Sequence, residues 1–252
     1  VIDVTPLARF ALLLVRPGML VVVAPGIGGM QLPAMTRIGL VVLVAIGVLP
    51  AVDVPAPRGE VELAVWIARE AAIGLSLGFA IRALVAAAEF AGQMSSYQIG
   101  FSYGAIVDPQ SGVRNHLLAV FYGLLAIMAF LGVNGHHALL RGLAASYAAL
   151  PIGSGGIEGS LVGTVASLLG LVFTVAVRLA APIVLALLVV EAAIGIVSRA
   201  APALNALVVG YPVRIVVGLL VLAFVVSAIP SVIASLVERA LVLGASTAGA
   251  FR

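Results

Sequence analysis

Apolar runs of near-membrane length succeed one another from Leu7 to Leu236, and most are interrupted by a proline or a lone charged residue. About 20 consecutive apolar residues cross a bilayer as a helix, so this pattern predicts a series of membrane helices. Composition closes the soluble alternative. The 252 residues are 63% hydrophobic and 9% charged, whereas soluble domains carry roughly 25% charged residues. The expected fold class is therefore all-α, an integral membrane protein with about six apolar helical segments, several of them kinked. Its basic residues are all arginine and lie scattered at a net charge of +3, so there is no footprint for nucleic acid. Cysteine is absent, which removes disulfides, thiolate nucleophiles and cysteine metal sites together. Val1 to Pro6 carries Asp3 rather than basic residues, and Arg9 and Arg16 interrupt the apolar run that follows, so a cleaved secretory signal is not expected.

The first run, Leu7 to Ala24, holds Arg9, Arg16 and Pro17 and makes a poor lipid-facing helix. Pro25 to Pro33 is a breaker cluster, and Ile38 to Leu49 is short for a span. Glu60 to about Phe90 reads as one long helix in which Gly74 and Gly78 stand one turn apart, a spacing that admits another backbone. Glu70, Gly74 and Gly78 are therefore candidate packing residues. Arg16, Arg37, Arg82, Glu89 and Arg178 sit where lipid would penalise them, and shielding by other subunits is expected. Leu117 to Val133 is a further span, followed by Asn134-Gly135-His136-His137 and a helical run to Leu150. The connector Leu150 to Ser160 lacks arginine and is expected on the non-cytoplasmic side, while Arg178, Arg199 and Arg214 favour the cytoplasmic side. Leu161 to Val190, broken by Arg178 and Pro182, is separated by a polar island, Glu191 to Arg214, from a last run bent at Pro230. The two final segments form a helical hairpin.

Gly92 to Gly112 differs from the rest of the chain. Its Gly, Ser and Gln residues are too polar for lipid, yet Tyr97, Ile99, Phe101, Tyr103, Ile106 and Val107 are too apolar for a disordered linker. The expectation is a folded-in loop at a protein-lined cavity, because irregular backbone survives at membrane depth only where protein or trapped water satisfies it. Such a loop implies a pore, a cleft or a partner.

Enzymatic signatures are missing. Without lysine there is no phosphate-binding Gly-Lys loop. His136 and His137 are adjacent, so on a helix they point about 100° apart, and no H-E-x-x-H spacing accompanies them. Capping or interfacial hydrogen bonding is favoured over zinc. Asp108 before Pro109 reads as a turn former before it reads as a catalytic acid. No metal or cofactor is called for.

These landmarks, taken in order, resemble the FliR family of flagellar export-gate proteins and its counterparts in virulence type III secretion. The resemblance rests on Pro25 through Pro33 with Arg37, on Glu70-x-x-x-Gly74-x-x-x-Gly78-Phe79, and on Gly92, Gln98, Gly100, Ser102 and Val107-Asp108-Pro109. Asn134-Gly135-His136, Leu150-Pro151-Ile-Gly153, Arg199-x-x-Pro202 and Gly210-Tyr-Pro212 complete it. Pro17, Tyr103 and Tyr211, where phenylalanine is common, depart from the pattern in detail. The resemblance implies a multi-pass protein of the bacterial inner membrane in the flagellar basal body. It implies assembly with FliP-like and FliQ-like subunits, an FlhB-like protein alongside, and unfolded exported proteins as substrates. It further implies that residues 1–160 form a FliP-like helical region whose loop 92–112 plugs the pore, and that 161–252 form a FliQ-like hairpin. Gly100, Phe101, Ser102, Tyr103, Ile106, Val107, Asp108 and Pro109 would do the plugging. Pro25, Pro33, Asn134, Gly135, His136, Pro151, Pro202, Gly210 and Pro212 would shape turns. Two readings of other classes compete, a small-molecule or ion secondary transporter with a midplane site and a membrane enzyme using His136, His137 and Asp108.

Overall fold

Helix is the regular structure of every segment described, as hydrocarbon requires of a backbone that must satisfy its own N–H and C=O groups. The computed structural model describes residues 5–25, 33–101, 117–154, 161–201 and 206–236. In order these are α1 (Thr5–Val23), α2 (Ala34–Val48), α3 (Glu60–Ile99), α4 (Leu117–Gly132), α5 (Gly135–Ala149), α6 (Leu161–Ala200) and α7 (Ala206–Val226). A turn at 227–228 then leads into helical residues 229–236, with Pro230 in their first turn, where its missing N–H costs nothing.

Among the described residues, three helices are long and apolar enough to cross a membrane: Glu60–Ile99, Leu169–Ala200 and Val208–Val226. The protein is thus an all-helical integral membrane protein. α4 and α5 together would make a further span bent by 66°. The bend sits at Asn134, whose φ of 56° is the left-handed state that asparagine tolerates better than other side chains. α2, at 15 residues, falls short of a span, and Pro50 closes it within a 3-10 turn, Leu49–Ala51. The spans differ in environment. Of the most apolar window of α3, 61% is buried inside the protein, against 17% for each of the other two.

Two expectations are corrected. The central loop does not begin at Gly92, because α3 continues through Ile99. Ser95 and Ser96 are buried, and the Ser95 hydroxyl donates to the Ala91 carbonyl at 2.9 Å. A helix face packed on protein needs the same small polar residues that a loop would use, so their polarity pointed to the wrong element. The supposed island Glu191 to Arg214 is likewise mostly helix, since α6 runs to Ala200 and α7 resumes at Ala206. Its charges lie along helices rather than in a connection.

The chain forms two compact units that interleave along the sequence. One comprises Val1–Ala83, Phe130–Gly170 and Ser235–Arg252; the other comprises Leu84–Ala129 and Leu171–Ala234. In the first unit, α1 lies against α3 so closely that a Cβ on Gly74 would collide with the Arg16 carbonyl oxygen, and one on Gly78 would lie 3.0 Å from the Leu20 carbonyl. In the second unit, a Cβ on Gly92 would collide with the Leu118 carbonyl of α4. Glycine at Gly74 and Gly92 therefore sets the spacing of two helix pairs. α6 and α7 pair in the second unit. Glu191 meets Arg214 at 3.3 Å, and Ile194 reaches the position of a Cβ on Gly210 at 3.4 Å. As the first partner advances the second retreats, so the two helices run antiparallel.

Candidate functional site

Two constellations gather residues that the sequence marks. The first is a charged clamp on Glu70. Arg16 of α1 approaches Glu70 of α3 with both ends of its fork, Nε donating to Oε2 at 2.7 Å and Nη2 to Oε1 at 2.9 Å. Two further donors go to the Ser146 hydroxyl and the Leu150 carbonyl, each at 2.9 Å, and its guanidinium lies 4.0 Å from the Tyr147 ring centroid. Both charged residues are fully buried. A bidentate pair with two further hydrogen bonds to the guanidinium is an arrangement in which a buried charge is tolerated. Arg16 is accordingly satisfied within this chain, which corrects the expectation that other subunits would shield it. Arg82 and Glu89 also interact within the chain.

Pro17 explains the clamp's last member. A proline inside a helix has no N–H for the carbonyl four residues earlier, which here is Leu13. The Tyr147 hydroxyl donates to that carbonyl at 3.3 Å. The break in α1 is thus repaired from α5. The turn after α5 is held by the same region. Arg69 donates to the Pro151 carbonyl at 3.3 Å, and Gly153, at φ 80°, brings its backbone against the Trp66 ring.

The second constellation lies where α3 ends. Gly100 has φ 99°, and the amides of Gly100 and Phe101 both reach the Ser96 carbonyl, at 3.2 and 3.1 Å. That is the glycine-terminated helix end that other residues adopt only under strain. The face a Cβ would occupy is covered by Tyr211 of α7, with Cε1 at 2.9 Å and Cδ1 at 3.1 Å. Six residues on from Pro212, a Cβ on Gly218 would lie 2.5 Å from Ile99 Cγ1, so the missing side chain makes the seat for Ile99. The structure brings Gly100 together with the Gly210-Tyr-Pro212 run, although more than one hundred residues separate them in sequence.

The other marked residues are placed separately. Pro33 caps α2 and its carbonyl accepts from the Thr36 and Arg37 amides at 3.0 and 3.2 Å, while Pro25 lies in the turn after α1. Gly135 starts α5 where a Cβ would collide with the Phe130 ring. The His136 and His137 rings lie with centroids 4.2 Å apart, tilted by 44°. Among the described residues no group of three or more His, Asp or Glu could hold a metal ion. Ser102, Tyr103, Ile106, Val107, Asp108, Pro109 and Pro202 lie outside the described residues. Sequence reasoning missed Ser146, Tyr147, Trp66 and the pairing of Arg16 with Glu70. The available signal was the opposite sign of Arg16 and Glu70 within two apolar runs, since charges at membrane depth pair with one another.

The chain matches a family model described as bacterial export proteins, family 1, over residues 7–240. It is 32% identical over 235 residues to the flagellar biosynthetic protein FliR of Bacillus subtilis (strain 168), covering 91% of this chain and 89% of the relative. To the protein of the same name from Escherichia coli (strain K12) it is 31% identical over 214 residues, 83% of this chain and 81% of the relative. A third relative, the surface presentation of antigens protein SpaR of Shigella sonnei, is 29% identical over 180 residues, 71% of this chain and 69% of the relative.

Proposed function

Because the chain belongs to the family of bacterial export proteins, family 1, we propose that it is a membrane-embedded subunit of the flagellar type III export gate. In this reading it sits in the inner membrane with FliP-like and FliQ-like subunits and an FlhB-like protein, and it helps to form and close the pore for unfolded flagellar proteins. It performs no chemistry of its own. Residues 1–160 supply the FliP-like part and 161–252 the FliQ-like hairpin, a division supported by the antiparallel pairing of α6 and α7. Closure falls to Gly100, Phe101, Ser102, Tyr103, Ile106, Val107, Asp108 and Pro109. Gly100 turns the chain out of α3, and the bulky apolar side chains seal against ions by keeping the constriction dry. Asp108 with Pro109 fixes the turn.

The observation that carries this reading is the helix end at Gly100. A 40-residue helix, mostly buried where it is most apolar, delivers the segment to a place where its first residue is turned by a positive φ and covered by Tyr211. Deleting Ile106 to Ser111 tests it. In cells making the complete gate, the deletion is expected to leave an assembled complex that leaks ions at rest, with Asp108→Asn milder. An assembled deletion gate as tight as wild type returns the segment to a plain connection.

A further inference from the structure

We infer that α7 is a latch on the end of α3, with Tyr211 the positioning residue and Gly218 the seat for Ile99, so that the C-terminal hairpin governs how the chain leaves α3 at Gly100. This rests on the pore-closing reading above and deepens it by naming what regulates closure. Ile99 is fully buried, and it reaches the α7 backbone only because residue 218 has no side chain. At the next residue the chain's direction is set by φ 99°, a state that glycine adopts without cost. Tyr211 covers that glycine with ring carbons Cε1 and Cδ1, not with its hydroxyl. The contact therefore depends on a flat apolar face.

The latch is linked to the rest of the hairpin. Arg214 lies with its guanidinium 5.9 Å from the Tyr211 ring and pairs with Glu191 of α6 at 3.3 Å. Glu191, Arg214, Tyr211 and Gly100 thus form a continuous series from α6 through α7 to the end of α3. The final contact suits a joint that opens. Ring carbons and an isoleucine part without stranding a charge, whereas parting Arg16 from Glu70 would leave two charges buried. Movement of α7 would release residues 99 and 100 together, because both rest on the same helix.

The test uses the complete gate with assembled yield measured in parallel. Tyr211→Phe keeps the ring face and is expected to leak less than Tyr211→Ala. Tyr211→Ala is expected to raise the resting ion leak about tenfold, the change that about 1.4 kcal/mol makes in a two-state equilibrium. A second arm uses the absence of native cysteine. With Ile99 Cγ1 at 2.5 Å from the Cβ position of residue 218, the two Cβ atoms of Ile99→Cys with Gly218→Cys fall about 4 Å apart or less, within disulfide range. Oxidation of that pair is expected to cut substrate secretion while the gate stays tight, and reduction to restore it. A Tyr211→Ala gate as tight as wild type, or an oxidised pair that secretes at the wild-type rate, overturns the latch. If Tyr211→Ala does not assemble, the oxidised pair decides. A leaky Ile106 to Ser111 deletion beside a tight Tyr211→Ala gate removes the latch alone; a tight deletion removes the pore-closing reading beneath it.

Discussion

The clamp around Arg16 and the joint around Gly100 hold helices by opposite means. At the clamp a buried guanidinium uses its fork on Glu70 and its spare donors on Ser146 and Leu150, binding α1, α3 and the end of α5 through one side chain. At the joint the contacts described are a ring face on a glycine and an isoleucine in the space left by another. A buried ion pair resists partial opening, because half of it is worse than none. Apolar contact is lost in small steps and re-formed without penalty. The clamp is therefore the costlier of the two to part, and the joint the cheaper.

Breaking the clamp gives the largest effect. Glu70→Ala leaves Arg16 buried without its partner and is expected to destabilise by about 3–5 kcal/mol, read as loss of assembled complex and of resistance to thermal unfolding. Replacing both partners, Arg16→Met with Glu70→Leu, is expected to cost less than either single change. Only the Ser146 hydroxyl and the Leu150 carbonyl then lose a donor. A double variant as damaged as Glu70→Ala would mean that Arg16 acts chiefly through those two groups rather than through the ion pair.

Backbone spacing comes next. Gly74→Leu is expected to lower complex yield more than Gly78→Leu, because even a Cβ at 74 collides with the Arg16 carbonyl, while at 78 the nearest backbone oxygen is 3.0 Å away. Overpacking of this kind costs about 1–3 kcal/mol, and at Gly74 it also displaces the residue that carries the clamp. Equal yields from the two variants would show that α1 adjusts freely and that the clamp, not the glycine, sets its position.

The smallest effect sharpens the role of Pro17. Tyr147→Phe removes the donor to the Leu13 carbonyl and is expected to cost about 1 kcal/mol in thermal unfolding of the complex. In a Pro17→Ala background the backbone amide of residue 17 can serve that carbonyl, so the same change should cost little. Equal costs in both backgrounds would separate the tyrosine from the proline. The comparison is a double-mutant cycle and needs no absolute stability.

Much of the fold was legible. Long apolar runs with few charges require membrane helices whatever the tertiary structure, since neither length nor charge depends on neighbours. Proline clusters marked the ends of α1 and α2 for the same local reason. The ordered landmarks, from Pro25 to Gly210-Tyr-Pro212, also sufficed to point to the family that the comparison identified. The central segment shows where local reading stops. Ser95 and Ser96 look the same in a solvated loop as on a buried helix face, and the choice was made by α4 crossing at Gly92.

Local composition fixes the class of solvent each segment can tolerate, because that follows from the transfer free energy of its side chains. Which polar groups meet is a matter of how the helices pack. Arg16 finds Glu70 at a separation of 54 residues, Ser146 at 130 and Leu150 at 134, and Gly100 finds Tyr211 on the far side of three intervening helices in the chain. No local pattern encodes those distances. They arise when glycines let helices approach and each buried donor must then find an acceptor, because an unpaired one would cost more than the contact that buried it.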